Sequence, residues 1–349
     1  MQAHIRRFTA FTVFVMLNLP VGAPATASDT SVTFGMCAPT SPLPCPQNPH
    51  PSSFREGASF LCHWEAKYLA RVTITFLGAT RSISAESIQS ASGSGSAAYL
   101  LLAIPLHHAA AAENLSWTAY DTAGRQLDQR SMAISIQKGI YPEQHLTLQQ
   151  KFVTPDPALN ERIKQERILM RNALNSVSPV RSWSLPMERP VPGSISSRFG
   201  LKRVLNKQPR APHTGLDFRA AAGDPINAVA KGKVILTGDF YYAGNCAVVD
   251  HGLGVTSAYM HMSKIYVQEG QLVAGGEPIG AVGSTGRSTG PHLHLGMAVH
   301  GIMTDPFSFI PQKPGDIVNL APPPKTPRKS HTTSTSERNS HGPNKKTQF

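Results

Sequence analysis

Between residues 190 and 310 the chain is written in short apolar runs separated by glycines. The runs at 233–237, 247–250, 255–259, 278–282 and 292–299 each have the length of a strand. Glycine-bounded runs of that length read as strands joined by tight turns. No long helical stretch interrupts them. An all-β domain over 190–312 is the architecture this pattern allows.

Upstream the pattern changes. Residues 60–136 alternate short apolar runs with polar turns, and 71–76, 99–104, 115–120 and 131–136 read as strands. That spacing predicts a small β-sandwich over 58–140. Residues 28–57, rich in Pro, Ser and Thr, read as an extended arm. Asp156-Pro157 has the chemistry of a helix start, with Asp as cap and Pro in the first turn. Leu159, Ile163, Met170, Leu174 and Val177 follow at helical spacing, with Glu161, Arg162, Lys164, Glu166 and Arg167 on the polar face. One amphipathic helix, ending before Ser178-Pro179, is expected in a linker over 141–189, as a spacer packed on a domain. A length of 349 residues accommodates two domains plus segments that belong to neither.

Residues 1–27 have the order of a secretory signal: His4, Arg6 and Arg7, an apolar run at 8–19, then Ala25-Thr26-Ala27. The apolar run is shorter than a bilayer span, and no other stretch is apolar enough to cross one. No Cys follows at a lipid-anchor position. Export is therefore expected, into a periplasm if the organism has an outer membrane and otherwise to the cell wall or medium, with no transmembrane segment left after cleavage. Cys37, Cys45, Cys62 and Cys246 fit an oxidising compartment, and their pairing is open. One bridge within the N-terminal region is expected, with Cys62 and Cys246 free or tying the domains together. Residues 313–349 are rich in Pro, Ser, Thr and basic residues and predict a disordered tail.

A net charge of +12 and a pI near 9.7 favour an anionic partner, such as a wall or envelope polymer held through the basic tail. Charge alone also fits nucleic acid. No zinc-finger or aromatic RNA-binding signature accompanies it, so no specific nucleic-acid partner is expected.

Within the all-β stretch lie five residues of metal-ligand type. His213 and Asp217 stand in Pro212-His213-Thr214-Gly215-Leu216-Asp217, His261 in Tyr259-Met260-His261-Met262, and His292 and His294 in Gly290-Pro291-His292-Leu293-His294. Residues i and i+2 of a strand point to one side, so His292 and His294 face one cavity. His213 and Asp217 can share a face, and Gly215 between them argues against a regular helix. Zinc takes imidazole nitrogen and carboxylate oxygen, and a catalytic zinc keeps three protein ligands and an open position for water. Five candidates supply such a set with two imidazoles left to handle protons. Spacing does not say which.

Other chemistries lack their signatures. There is no His-Glu-x-x-His, no Gly-x-Ser-x-Gly elbow, and the loop at 283–288 lacks the Lys and the spacing of a phosphate cradle. His107 and His108 are adjacent and would point to opposite faces of a strand. His251 and His300 are lone histidines near turns and read as structural.

The motifs His213-Thr214-Gly215-Leu216-Asp217, Gly244-Asn245, Asp250-His251-Gly252, Tyr259-Met260-His261 and Thr289-Gly290-Pro291-His292-Leu293-His294 together resemble the M23 (lysostaphin/LytM-like) peptidoglycan metalloendopeptidases. The resemblance covers about residues 190–310. By layout, the region before it is similar to that of members carrying an immunoglobulin-like N-terminal domain. The resemblance implies a mostly β fold with a lysostaphin-like C-terminal domain. It implies His213, Asp217 and His294 as ligands of one zinc ion per chain, with His261 and His292 beside the open position. Asn245 and Tyr259 then line the substrate groove or simply hold turns and strands. Cys246, next to Asn245, puts a thiol near that groove, as a bridge partner or a small buried residue.

The implied reaction is hydrolysis of peptide cross-links in peptidoglycan by a zinc-activated water with two assisting histidines. The substrate is a peptide stem. D-alanyl to diaminopimelate links would make the activity that of a DD-endopeptidase, and oligoglycine bridges are the other possibility. Two further expectations stand beside it: a non-catalytic wall-binding protein that activates a partner amidase, and an enzyme held latent by its N-terminal part.

Overall fold

The computed structural model describes residues 31–39, 52–90, 93–313 and 316. The signal segment, Cys45 and nearly all of the basic tail lie outside them. Among the described residues no helix is long and apolar enough to cross a membrane.

The first domain is two sheets. One is four-stranded, in the order Thr33–Cys37, Ser59–Ala66, Gly93–Ala103, Glu86–Ser90; the other is five-stranded, in the order Ser53–Arg55, Gln126–Gln137, Ala111–Tyr120, Arg71–Phe76, Ala79–Ser84. Side-chain alternation builds the space between them. Phe60, Cys62 and Trp64 from the first sheet meet Val72, Ile74, Leu115 and Trp117 from the second in one core. The rings of Phe34, Trp64 and Trp117 pack at centroid distances of 5.3 to 5.9 Å. The stretch at 28–57, expected as an arm, therefore needs correction. Thr33–Cys37 pairs with Ser59–Ala66, and Ser53–Arg55 runs parallel to Gln126–Gln137. The Pro- and Ser-rich residues around them hid a five-residue strand, TFGMC, whose last four residues are buried.

The Ser59–Ala66 strand is covered on both faces. While Phe60, Cys62 and Trp64 fill the sandwich, Leu61 joins Leu101, Ala103 and Cys37 in the same cluster as Trp183 of the linker and Phe218 and Leu295 of the C-terminal domain. Burying each such leucine contributes roughly 1.5–3 kcal/mol. Thr304 Oγ1 and the Asp305 N–H both donate to the Gly57 carbonyl, at 3.0 and 2.9 Å. Arg181 grips Glu86 with two nitrogens, at 2.9 and 2.6 Å, while lying over the Tyr99 ring. Cys37 is disulfide-bonded, and Cys62 and Cys246 are free and buried, so no bridge between those two ties the domains. Burial pushes the Cys246 thiol up to about 12, which leaves it an inert small hydrophobe.

The C-terminal domain is all-β, as its text implied. Its main sheet runs Ile195–Ser197, Leu216–Arg219, His292–Val299, Val255–Met262, Gly244–Asp250, Gly232–Phe240, Leu272–Val273, antiparallel throughout, with Ile302–Thr304 also on His292–Val299. One face of this sheet meets the sandwich-side core, and the other receives the linker helix Asn160–Leu174. Asp156 accepts from the Ala158 N–H and opens a short 3-10 turn at Pro157–Leu159 that leads into the helix. Ile163, Met170, Ala173 and Leu174 turn inward; Val177, expected on that face, is exposed beyond the helix end. The linker is no free spacer. Its Glu143–Leu146 segment pairs parallel with Lys202–Leu205.

Candidate metal centre

Two neighbouring strands and one loop carry the site. Asp217 on Leu216–Arg219 lies directly opposite His294 on His292–Val299. His213 precedes the first of these strands, anchored by its N–H to the Leu201 carbonyl at 2.9 Å. Between His213 and Asp217, Gly215 lets the His294 ring come close. A Cβ there would sit 2.6 Å from His294 Nε2 and 2.5 Å from the Leu295 carbonyl. This contact explains why a glycine separates the two ligand-type residues.

The result is a triangle of donors. His213 Nε2 lies 2.9 Å from Asp217 Oδ1 and 3.0 Å from His294 Nδ1, and His294 Nδ1 lies 2.8 Å from Asp217 Oδ1. All three residues are buried, and among the described residues they form the one cluster of this kind able to hold a metal ion. Bond lengths of about 2.0 Å around a tetrahedral zinc put its ligands roughly 3.3 Å apart. The edges found are close to that, so the donor set fits such an ion with little rearrangement.

The electrostatics agree. Burial alone would raise the Asp217 carboxyl, but the His213 and His294 imidazoles hold it well below the usual carboxylate range. Burial pushes His294 down to about 4, which keeps it neutral and able to donate a lone pair. Ring orientation is fixed from behind. His213 Nδ1 donates to the Arg198 carbonyl at 2.7 Å, leaving Nε2 for the triangle. The second oxygen of Asp217 is taken by Arg203, whose Nη2 donates at 3.0 Å.

The two further histidines stand beside the triangle. His261 Nδ1 donates to the Thr285 carbonyl at 2.9 Å, and His292 Nδ1 to the Gly290 carbonyl at 2.8 Å. Both therefore offer Nε2 as a free acceptor when neutral. His292 Nε2 lies 3.8 Å from Asp217 Oδ1, and the two rings are 4.9 Å apart between centroids. Burial, then repulsion from His292 and His294, pushes His261 down to about 3. His261 also sits in the left-handed backbone region, at φ 64°, next to Gly244 at φ 63°. A Cβ at Gly244 would meet Thr285 Oγ1 at 2.3 Å, so glycine there admits the loop that holds His261.

Five of the seven expected site residues thus converge. Asn245 stands at the edge, its amide donating to the Met262 carbonyl at 3.2 Å, where it braces the strand end after His261. Tyr259 requires correction. It has no exposed surface, and its hydroxyl accepts from the Val229 N–H at 2.8 Å and from Ser257 Oγ at 3.0 Å. Residue parity explains the miss: on the Val255–Met262 strand Tyr259 points to the core side, opposite to Met260. His251 is structural, donating to the Lys231 carbonyl at 2.8 Å from a fully buried position, and His300 lies apart from the triangle and its cavity.

The triangle opens into a cavity of ≈ 370 Å³. The linker helix forms one wall through Ile163, Glu166, Arg167 and Met170. Tyr242 and Arg287 form another. Sequence spacing gave no sign of Arg203 or of these walls, because Arg167 reads as part of the polar helix face and Lys202–Leu205 carries no motif. A larger hollow of ≈ 600 Å³ flanks the helix but contains no ligand-type cluster.

Residues 211–306 match the family model described as Peptidase family M23. The stretch is similar to the peptidoglycan DD-endopeptidase ShyA of Vibrio cholerae, at 44% identity over 108 residues, which is 31% of this chain and 25% of that one. It is similar to the DD-carboxypeptidase/endopeptidase Mpg of Neisseria meningitidis, at 42% identity over 114 residues, covering 33% and 26%. The chain spans about a quarter of the length of these curated relatives. A solved Pseudomonas aeruginosa structure assigned to peptidase M23 covers 73% of this chain and 94% of its own, with a TM-score of 0.52 and 28% identity. That coverage extends well beyond the matched stretch. The C-terminal domain is thus an M23 peptidase domain, and the mostly β fold expected for the chain is borne out.

Proposed function

We propose that this protein is an exported zinc metalloendopeptidase that hydrolyses the peptide cross-links of bacterial peptidoglycan, with DD-endopeptidase specificity. The observation that carries the proposal is the buried triangle of His213 Nε2, Asp217 Oδ1 and His294 Nδ1, with edges of 2.8 to 3.0 Å. The relatives named for DD-endopeptidase activity support the substrate. A zinc ion held by that triangle supplies Lewis acidity toward a carbonyl and lowers the pKa of water to about 7.

The chain's own residues do the rest. The carbonyls of Thr285 and Gly290 hold His261 and His292 in the tautomer that leaves Nε2 open toward the cavity. A neutral imidazole there accepts a proton from water, and once charged it returns that proton to the leaving amine or donates to a developing oxyanion. Low exposure of both rings strengthens these interactions by excluding bulk water. The cavity walls from the helix and the Tyr242 side orient the peptide. The complete pair of proton-handling histidines weighs against a purely amidase-activating role.

The test is digestion of purified peptidoglycan by the mature chain, with and without chelator, products being read by mass spectrometry. Chelator-sensitive release of cross-linked stems as monomers is expected. No peptide cleavage after zinc is added back would overturn the reading.

A further inference from the structure

The cavity beside the metal triangle is cationic on walls that come from three separate segments. Arg167 comes from the linker helix, Arg203 from the Lys202–Leu205 strand and Arg287 from the loop before His292. Each is accounted for differently. Arg203 is pinned by Asp217 Oδ2 at 3.0 Å. Arg287 lies over the Tyr242 ring, its guanidinium carbon 4.6 Å from the centroid. Neither Arg167 nor Arg287 has a salt bridge to an acid among the described residues. The acid on the cavity wall, Glu166, is already engaged: Oε1 takes Arg162 Nε at 2.6 Å and Oε2 takes the Tyr241 N–H at 2.7 Å. The guanidinium groups also feel one another. Burial, then repulsion from Arg203, Arg210 and Arg167, lowers the Arg287 pKa against the pull of Tyr242.

Like charges on a half-buried cavity wall, two of them without an acid to balance them, destabilise the free protein and suit an anionic ligand. Arginine presents a planar fork that matches a carboxylate. We infer that Arg167, Arg203 and Arg287 form a carboxylate subsite on the wall of the metal cavity, and that it selects peptides with a free carboxylate next to the scissile bond. This rests on the peptidase reading and narrows it. A cross-link to a diamino acid whose amine-bearing carbon also carries a carboxylate fits. A lysine side-chain amine and an oligoglycine bridge offer no such charge. The linker helix then takes part in specificity, because Arg167 belongs to it.

Two synthetic peptides test this on the full chain. Both carry a D-alanyl group linked to a diamino-acid side chain, one with the adjacent carboxylate free and the other with it as carboxamide. The free acid is expected to be cleaved at least about tenfold faster in kcat/KM, the scale of a hydrogen bond to a charged group. Arg167→Gln, an exposed helix position, and Arg287→Gln should each shrink that ratio severalfold. Equal cleavage of both peptides, or variants that keep the full ratio, overturns the subsite and leaves the peptidase reading intact. If neither peptide is cleaved, the peptidase reading fails, and calorimetry on chelator-treated protein decides the subsite. Tighter binding of the free-acid peptide than of its carboxamide, lost in Arg167→Gln, supports it; equal binding refutes it.

Discussion

Arg203 and Asp217 meet at 3.0 Å through Nη2 and Oδ2, while Oδ1 of the same carboxylate turns to His213 and His294. The arginine therefore sets the rotation of the one anionic donor in the triangle. Partners of this kind usually govern metal affinity by about 10–100-fold. Arg203→Gln is expected to weaken zinc binding on that scale in a competition titration with a chelating dye. Parental affinity in the variant would show that the triangle alone holds the carboxylate.

His261 is expected to matter for turnover and not for metal retention. Its Nδ1 is committed to the Thr285 carbonyl, and it is not among the three donors of the triangle. His261→Ala should keep one zinc per chain by elemental analysis while kcat falls by roughly 10²–10⁴-fold. Loss of the metal in this variant would move His261 into the ligand set.

Gly215 should be intolerant of any side chain. A Cβ would meet His294 Nε2 at 2.6 Å and the Leu295 carbonyl at 2.5 Å, and the latter is backbone that cannot step aside cheaply. Gly215→Ala is expected to cost about 1–3 kcal/mol by overpacking. It should also weaken zinc binding by displacing the ring. Thermal unfolding with and without zinc checks both, and an unchanged metal-dependent rise in Tm would contradict the contact.

Stability should fall on acidification through a group remote from the metal. His251 is fully buried between the Lys231 carbonyl and Ser257 Oγ, and burial pushes it down from 6.5 to about 4. Below pH 6.5 the unfolded chain binds a proton that the native chain refuses, so unfolding becomes easier as pH falls toward 4, and above 6.5 the contribution is fully present. Between pH 7 and 5 this one group accounts for a loss of about 2 kcal/mol. In guanidinium titrations of chelator-treated protein, His251→Gln should lose correspondingly less than the parent over that interval. An identical pH slope in both would rule the assignment out.

How much of this was legible depended on whether the information was local. Strand parity puts His292 and His294 on one side, while the glycine between His213 and Asp217 argues only against a helix, and its close approach to the His294 ring emerges only in the fold. Tyr259 misled because motif proximity to His261 says nothing about which face of a strand a residue takes. The Thr33–Cys37 strand was hidden by Pro- and Ser-rich flanks, since its partner, Ser59–Ala66, lies beyond an intervening stretch. Arg167 and Arg203 were out of reach for the same reason. Their roles arise only when a helix and a strand distant in the chain close around one cavity.

The backbone at His261 sits where glycine would be comfortable, at φ 64°. A side chain in that region costs on the order of 1 kcal/mol, and this one is imidazole, aimed into the cavity by Thr285. Position 261 is thus one at which activity and robustness pull in opposite directions. A screen for thermal tolerance alone would drift toward glycine there and discard the imidazole on the way, so stabilising this fold by consensus or selection requires that residue to be held fixed.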